Sequence, residues 1–147
     1  GNKSEIAVGY STMYGDSAGG FAPIKDLFKS DVWKVSSWLN TRGNGEVIPE
    51  NSITKEPSAE LRPDQIDTDS LPDYKILDQV LALLIEQSAT IDQVVESGHP
   101  RQLAEKIESM VRASEWKRSQ GAIGTKTTAI AFGSGRRVPI TTRFNEL

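Results

Sequence analysis

The apolar residues Ile76, Leu77, Val80, Leu81, Leu84 and Ile85 recur as i, i+1, i+4, i+5, i+8 and i+9, and this repeat constrains the chain most. A period near 3.6 gathers them on one helical face, which must be buried against other elements. Ser70 and Asp73 stand where a capping pair would open that helix. Thr90-Ile91-Asp92-Gln93 has the capping-box pattern of a short helix that Gly98 ends. Pro100, at a first-turn position, opens a longer helix with Leu103, Ile107, Met110 and Val111 inward, reaching about Arg118. Residues 74–86 and 101–117 are therefore expected to pack through Ile76, Val80, Leu84, Leu103, Ile107 and Met110.

Four other segments flank this helical region, which spans 73–118. Residues 1–28 mix a short apolar patch (Ile6, Ala7, Val8) with a Gly-rich loop around Gly15 to Gly20. Residues 29–42 carry Val32, Val35, Trp38 and Leu39 at helical spacing, and Gly43-Asn44-Gly45 stops that helix. Residues 43–72 hold four of the seven prolines among many acids and read as a long irregular connection. Residues 119–147 form a basic tail with four glycines and two β-prone runs, Thr127 to Phe132 and Val138 to Thr142.

A length of 147 residues, with 37% hydrophobic and 25% charged residues, suits one ordinary globular domain. The chain has no cysteine, so no disulfide or thiolate chemistry. With one histidine, His99, it carries no His-rich metal cluster. Its longest apolar run, Val80 to Ile85, is far too short to span a membrane, and no signal peptide is expected from Gly1-Asn2-Lys3. A cytoplasmic protein with no membrane partner is expected. The net charge of −3 divides into −8 before Pro100 (eight Lys/Arg, sixteen Asp/Glu) and +5 from Pro100 onward (nine against four). A basic tail can bind polyanions or fold back on an acidic body. No aromatic-interleaved basic stripe is present, so no nucleic-acid partner is expected.

Four motifs carry a functional signal: Gly1-Asn2-Lys3-Ser4-Glu5, Tyr10-Ser11-Thr12-Met13-Tyr14-Gly15-Asp16-Ser17-Ala18-Gly19-Gly20, Pro57-Ser58-Ala59-Glu60-Leu61-Arg62-Pro63, and Glu115-Trp116-Lys117-Arg118. In this order they resemble the C-terminal part of glutamine-dependent NAD synthetase. The resemblance implies a three-layer αβα sandwich for the parent fold, of the adenine nucleotide α-hydrolase-like (ATP-pyrophosphatase) kind. Most of its parallel sheet would lie outside this chain, leaving a segment mainly helical with long loops and a few short strands. It also implies ATP as co-substrate, Mg²⁺, deamido-NAD as substrate, a glutaminase domain in the same parent protein, and a homo-oligomer. The family's phosphate loop, Ser-Gly-Gly-x-Asp-Ser, lies upstream of these motifs, so the chain reads as part of a site, inactive alone.

Residue by residue, the resemblance makes Glu5 a Mg²⁺ ligand near deamido-NAD, and a carboxylate oxygen suits that hard cation. Taken alone, Glu5 reads as an exposed first-turn acid favoured by the helix dipole. Lys29 and Ser58 match ATP contacts; alone, they read as a surface lysine and a turn hydroxyl. Tyr10, Ser11, Thr12 and Met13 match the lining of the deamido-NAD site, and Lys117 matches a lysine that reaches the dinucleotide. Ammonia-dependent relatives place a lysine where Met13 stands and an aspartate where Gly20 stands, so these departures fit the glutamine-dependent branch. Trp116 suits either a stacking platform or a core position. Arg136 and Arg137 read as interdomain or intersubunit contacts. Two alternatives stay open: a helical assembly or dimerisation piece without catalysis, and another ATP-pyrophosphatase such as a GMP synthetase. No Gly-x-Ser-x-Gly, Cys/His pair or complete Gly-x-Gly-x-x-Gly fingerprint offers a different chemistry.

Overall fold

Helices dominate, as the apolar spacing demands. The computed structural model describes residues 1–15, 17–42, 45–58 and 63–141. Its helices are α1 (Lys3–Val8), α2 (Lys29–Arg42), α3 (Glu50–Thr54), α4 (Tyr74–Leu81), α5 (Ile91–Glu96), α6 (Arg101–Ala113) and α7 (Glu115–Gln120). Four two-residue strands complete it: β1 (Phe21–Ala22), β2 (Ile123–Gly124), β3 (Ala131–Phe132) and β4 (Gly135–Arg136). Strand β1 runs parallel to β2, with Phe21 opposite Ile123 and Ala22 opposite Gly124. Among the described residues, no helix is long and apolar enough to cross a membrane.

The short helix α1 is the hub, packing against α2, α4, α6 and α7. Ala7 and Val8 share one buried cluster with Leu77, Val80 and Leu81 of α4 and with Ala104, Ile107 and Val111 of α6. This differs from the expected seam. Ile76 is 42% exposed, whereas Leu77 is fully buried. Tyr74 opens α4 with its ring buried, and at about 100° per residue the inward face then takes Leu77, Asp78 and Leu81, turning Ile76 outward. Leu103 and Met110 are half-buried at the margin of the cluster. Asp73 caps α4 by accepting from the Lys75 N–H at 2.7 Å. Ser70 takes no part in that cap; its hydroxyl pairs with the Tyr10 hydroxyl.

The expected long helices are also broken. After Leu81 the chain makes one π turn, Ala82–Glu86, in which Gln87 N–H bonds back to Ala82. The helix from Pro100 stops at Ala113 and restarts at Glu115. At the break, Ser114 Oγ donates to the Met110 carbonyl at 2.8 Å. Gly9, which ends α1 at φ +79°, lies so close that a Cβ there would sit 2.3 Å from Ser114 Oγ. A glycine is required on both counts.

Helix α2 starts and ends where its sequence suggests, but no residue on it is fully buried. Trp33 faces inward, its ring edge-on to Tyr74 with centroids 6.0 Å apart. Val35 and Trp38 are 42% and 50% exposed, and Arg42 stacks on the Trp38 ring at 4.5 Å. The proposed stop at Gly43-Asn44 lies outside the described residues. Within 43–72 the chain forms α3 and a 3₁₀ turn at Asp67–Asp69. The run from Thr127 to Phe132 forms a strand only at Ala131–Phe132, because the Thr127 and Thr128 N–H groups each donate to the Asp26 carboxylate at 2.7 Å. Val138 to Thr141 form no strand, and Thr142 lies outside the described residues.

Candidate functional site

A buried ion pair sets the base of the site. Lys3 and Asp26, with side chains 0% and 2% exposed, meet at 2.9 Å. The Lys3 ammonium also donates to Glu86 at 2.7 Å, Thr128 Oγ1 at 2.7 Å and the Ile130 carbonyl at 2.8 Å. Burial pushes the Asp26 carboxyl up, but Lys3 and the Thr128 and Thr127 N–H groups together outweigh it, and its pKa lies below the usual value. These contacts fasten the start of α1 to the Asp26 turn, the π turn and the C-terminal segment.

On this base α1 presents Glu5. Asn2 Oδ1 accepts from Glu5 N–H at 3.1 Å, while Glu5 Oε2 accepts from Asn2 N–H at 3.1 Å, a reciprocal capping box. Glu5 Oε1 accepts from Lys29 Nζ at 2.9 Å, with each side chain 18% exposed. Lys29 is held by its backbone too, donating N–H to Ser4 Oγ at 2.9 Å. Ser4 in turn donates to Asp78 at 2.5 Å, and Asp78 accepts from the Ser30 N–H at 2.9 Å and hydroxyl at 2.6 Å. Burial raises the Asp78 carboxyl pKa despite these bonds. The α2 N-terminus is thus satisfied by side chains from α1 and α4, which fixes where Lys29 begins.

Glu5, Tyr10, Ser11, Thr12, Met13, Lys29, Ser58 and Lys117, all singled out from the sequence, line one cavity of about 950 Å³. Residues up to 112 positions apart in the chain converge there. Lys117 Nζ donates to the Gly9 and Ser11 carbonyls at 2.7 and 3.0 Å, so it braces the Tyr10–Met13 stretch from α7. Ser58 donates its hydroxyl to the Gln65 carbonyl, closing its loop. Trp116 lines the same cavity and is 45% exposed, which sets aside a core role. Asp16 and Ala59 to Arg62 lie outside the described residues. A second cavity of about 300 Å³ shares Ser11 and Lys117 and includes Gly19 and Lys25. Lys25 donates to the Ala122 carbonyl at 2.6 Å, and burial lowers its pKa.

Several working residues carried no signal in the sequence. Lys3 sat inside a recognised motif, but nothing local distinguishes a buried lysine from a solvated one. Arg118 is buried between the Phe132 ring at 4.6 Å and the α1 end, donating to the Ala7 carbonyl at 2.7 Å and to Glu115 at 2.8 Å. Desolvation lowers its pKa, against the pull of Glu115. Asp67 and Tyr74, bonded at 2.7 Å, were hidden within an acid-rich stretch. Arg136 is half-buried, with its Nε lacking a partner and its pKa lowered by burial.

The NAD synthase family model matches residues 1–121. Glutamine-dependent NAD(+) synthetase of Thermotoga maritima is 48% identical over 146 residues, covering 99% of this chain and 25% of that protein. The Aquifex aeolicus protein of the same description is 50% identical over 143 residues, 97% of this chain and 25% of that one. A solved glutamine-dependent NAD(+) synthetase from Cytophaga hutchinsonii matches with a TM-score of 0.73 at 23% identity, covering 97% of this chain and 24% of its own; that likeness establishes the fold. The chain belongs to the NAD synthase family. It spans about a quarter of the length of the curated relatives it matches.

Proposed function

We propose that this segment forms one wall of the synthetase site in a cytoplasmic glutamine-dependent NAD synthetase, an AMP-forming ligase. In that reaction the nicotinate carboxylate of deamido-NAD attacks the α-phosphorus of ATP and pyrophosphate leaves. Ammonia released from glutamine in a separate domain then attacks the acyl carbon, and AMP leaves to give NAD. The observation carrying this reading is the Glu5–Lys29 pair on the wall of a cavity that also gathers the other six residues. Mg·ATP combines a cation with anionic phosphates, and it offers each member of the pair an opposite charge. Lys29 turns to phosphate, countering charge that builds as pyrophosphate departs, while Glu5 is released from Lys29.

Glu5 fits Mg²⁺ as one ligand: the ion takes one or two protein carboxylates and fills its remaining positions with water and phosphate oxygens. Bound there, the ion would neutralise charge on the leaving pyrophosphate. Ser58 lies within reach of the same nucleotide, and Tyr10 to Met13 form the surface for deamido-NAD, held in place by Lys117. Arg136 and Arg137 are assigned to contacts between domains or subunits of a homo-oligomer.

Kinetics of the full-length protein test this assignment. Lys29→Ala should raise the KM for ATP about tenfold or more, the scale of a lost hydrogen bond to a charged group. Glu5→Gln should lower kcat more than ATP affinity, with partial recovery at raised Mg²⁺. An unchanged KM for ATP in Lys29→Ala would remove the nucleotide from this wall.

A further inference from the structure

We propose that Asp67 is a ligand-binding residue of this cavity, its Oδ1 accepting a hydrogen bond from a ribose hydroxyl of the bound nucleotide. This rests on the reading of the cavity as a nucleotide site and adds a contact to it. Asp67 lines the cavity and is only 4% exposed. Its Oδ2 accepts from the Tyr74 hydroxyl at 2.7 Å, while its Oδ1 is buried without any partner. A buried carboxylate oxygen that satisfies nothing in the fold is costly, and a binding site is where such a cost is retained.

The carboxylate is also held firmly. Tyr74 is itself buried, with Trp33 edge-on at 6.0 Å. Burial, then Asp67, drives the phenol pKa far above its ordinary value, so Tyr74 stays a donor. The Asp67 N–H bonds to the Pro57 carbonyl at 2.9 Å, tying it to the wall that carries Ser58.

The chemistry of the occupant follows from the charges. A phosphate would be repelled by the carboxylate. A hydrated cation is disfavoured, because Mg²⁺ keeps several of its waters and this carboxylate oxygen is buried. A neutral donor fits, and carboxylates recognise ribose hydroxyls in this way in other nucleotide sites. Proximity to Ser58 and Lys29 places this ribose on ATP; the ribose units of deamido-NAD offer the same chemistry.

The test compares ATP with 2′-deoxyATP and 3′-deoxyATP in the full-length enzyme and its Asp67→Ala variant, with Asp67→Leu as the substitute of closer size, also without an acceptor, should the alanine protein not fold. In the unaltered enzyme, one deoxy analogue should show a KM raised about tenfold, the loss of one charge-assisted hydrogen bond. The variant should have its KM for ATP raised similarly and should treat ATP and that analogue alike, with little change in kcat. If instead this convergence is seen with deamido-NAD analogues lacking ribose hydroxyls, the hydroxyl belongs to the dinucleotide and the proposal stands. A variant that discriminates as strongly as the unaltered enzyme against every analogue overturns it, as does rescue of its ATP binding by excess Mg²⁺ alone, which would make Asp67 a metal ligand. Lys29→Ala run alongside separates the two levels: lost ATP affinity there with unchanged ribose discrimination in Asp67→Ala refutes only this inference.

Discussion

Replacing Asp26 by Asn should be among the most damaging single-atom changes available in this chain. Breaking a buried ion pair from one side costs about 3–5 kcal/mol, because the remaining charge is left uncompensated. Here Lys3 keeps Glu86 at 2.7 Å, and the amide oxygen of Asn can still accept from Thr127 or Thr128, so the lower end applies: about 3 kcal/mol. For a chain of this size that corresponds to a fall in Tm of about 6–12 °C. Urea unfolding of the 147-residue chain, followed by circular dichroism, measures it. The double variant Lys3→Met with Asp26→Asn removes both charges, and its loss should fall short of the summed single losses by about 1.5 kcal/mol or more. The pH dependence has a definite sign. The folded Asp26 pKa is lowered, so its contribution is present above the unfolded value near 3.9 and fades as pH falls through the folded value. The unaltered chain should lose this stability in acid, whereas the Asn variant has none of it to lose. A single-variant loss below about 1 kcal/mol, or strict additivity in the double variant, would refute the claim that this pair is dry and coupled.

Leu77→Ala should cost about 2–5 kcal/mol by leaving a cavity at a fully buried position, while Ile76→Ala, exposed on the same helix, should cost well under 1; equal losses in thermal melts would contradict the observed face of α4. Gly9→Ala should destabilise by about 1–3 kcal/mol, from its left-handed φ and the 2.3 Å approach to Ser114, and the double variant with Ser114→Gly should recover only the steric part. Lys117→Met should weaken deamido-NAD use in the full-length enzyme by freeing the Gly9–Ser11 carbonyls; normal KM values would leave Lys117 without that bracing role.

The helical repeat around Leu77 was legible because burial writes a period into sequence, and the Thr90 capping box because its partners are neighbours. Which apolar face turned inward was not, since that depended on Tyr74 being buried beside Trp33, a contact between residues 41 apart. The run Thr127–Phe132 misled for a related reason: its β-propensity is real, but Asp26, a hundred residues earlier, takes the N–H groups a strand would use. The cavity residues were legible only through the family resemblance. Lys29 and Ser58 have no local mark that tells a nucleotide contact from a surface side chain, and Asp67 has even less.

The π turn at Ala82–Glu86 puts one more residue into the helical path than an α-helix of the same length would hold. Deleting a single residue there would restore regular backbone bonding, so by local criteria the shortened chain looks improved. The Gln87 N–H would still reach the Ala82 carbonyl, now four residues back, so the residues downstream keep their place while the turn loses one side chain. What would be lost is packing: Leu84 and Ile85 of this turn both belong to the buried cluster, and an α turn has room for one residue fewer. The irregular turn therefore supplies the core with one more side chain than a regular turn would, and length variation should be better tolerated in the exposed stretch 45–47 than at this one helical residue.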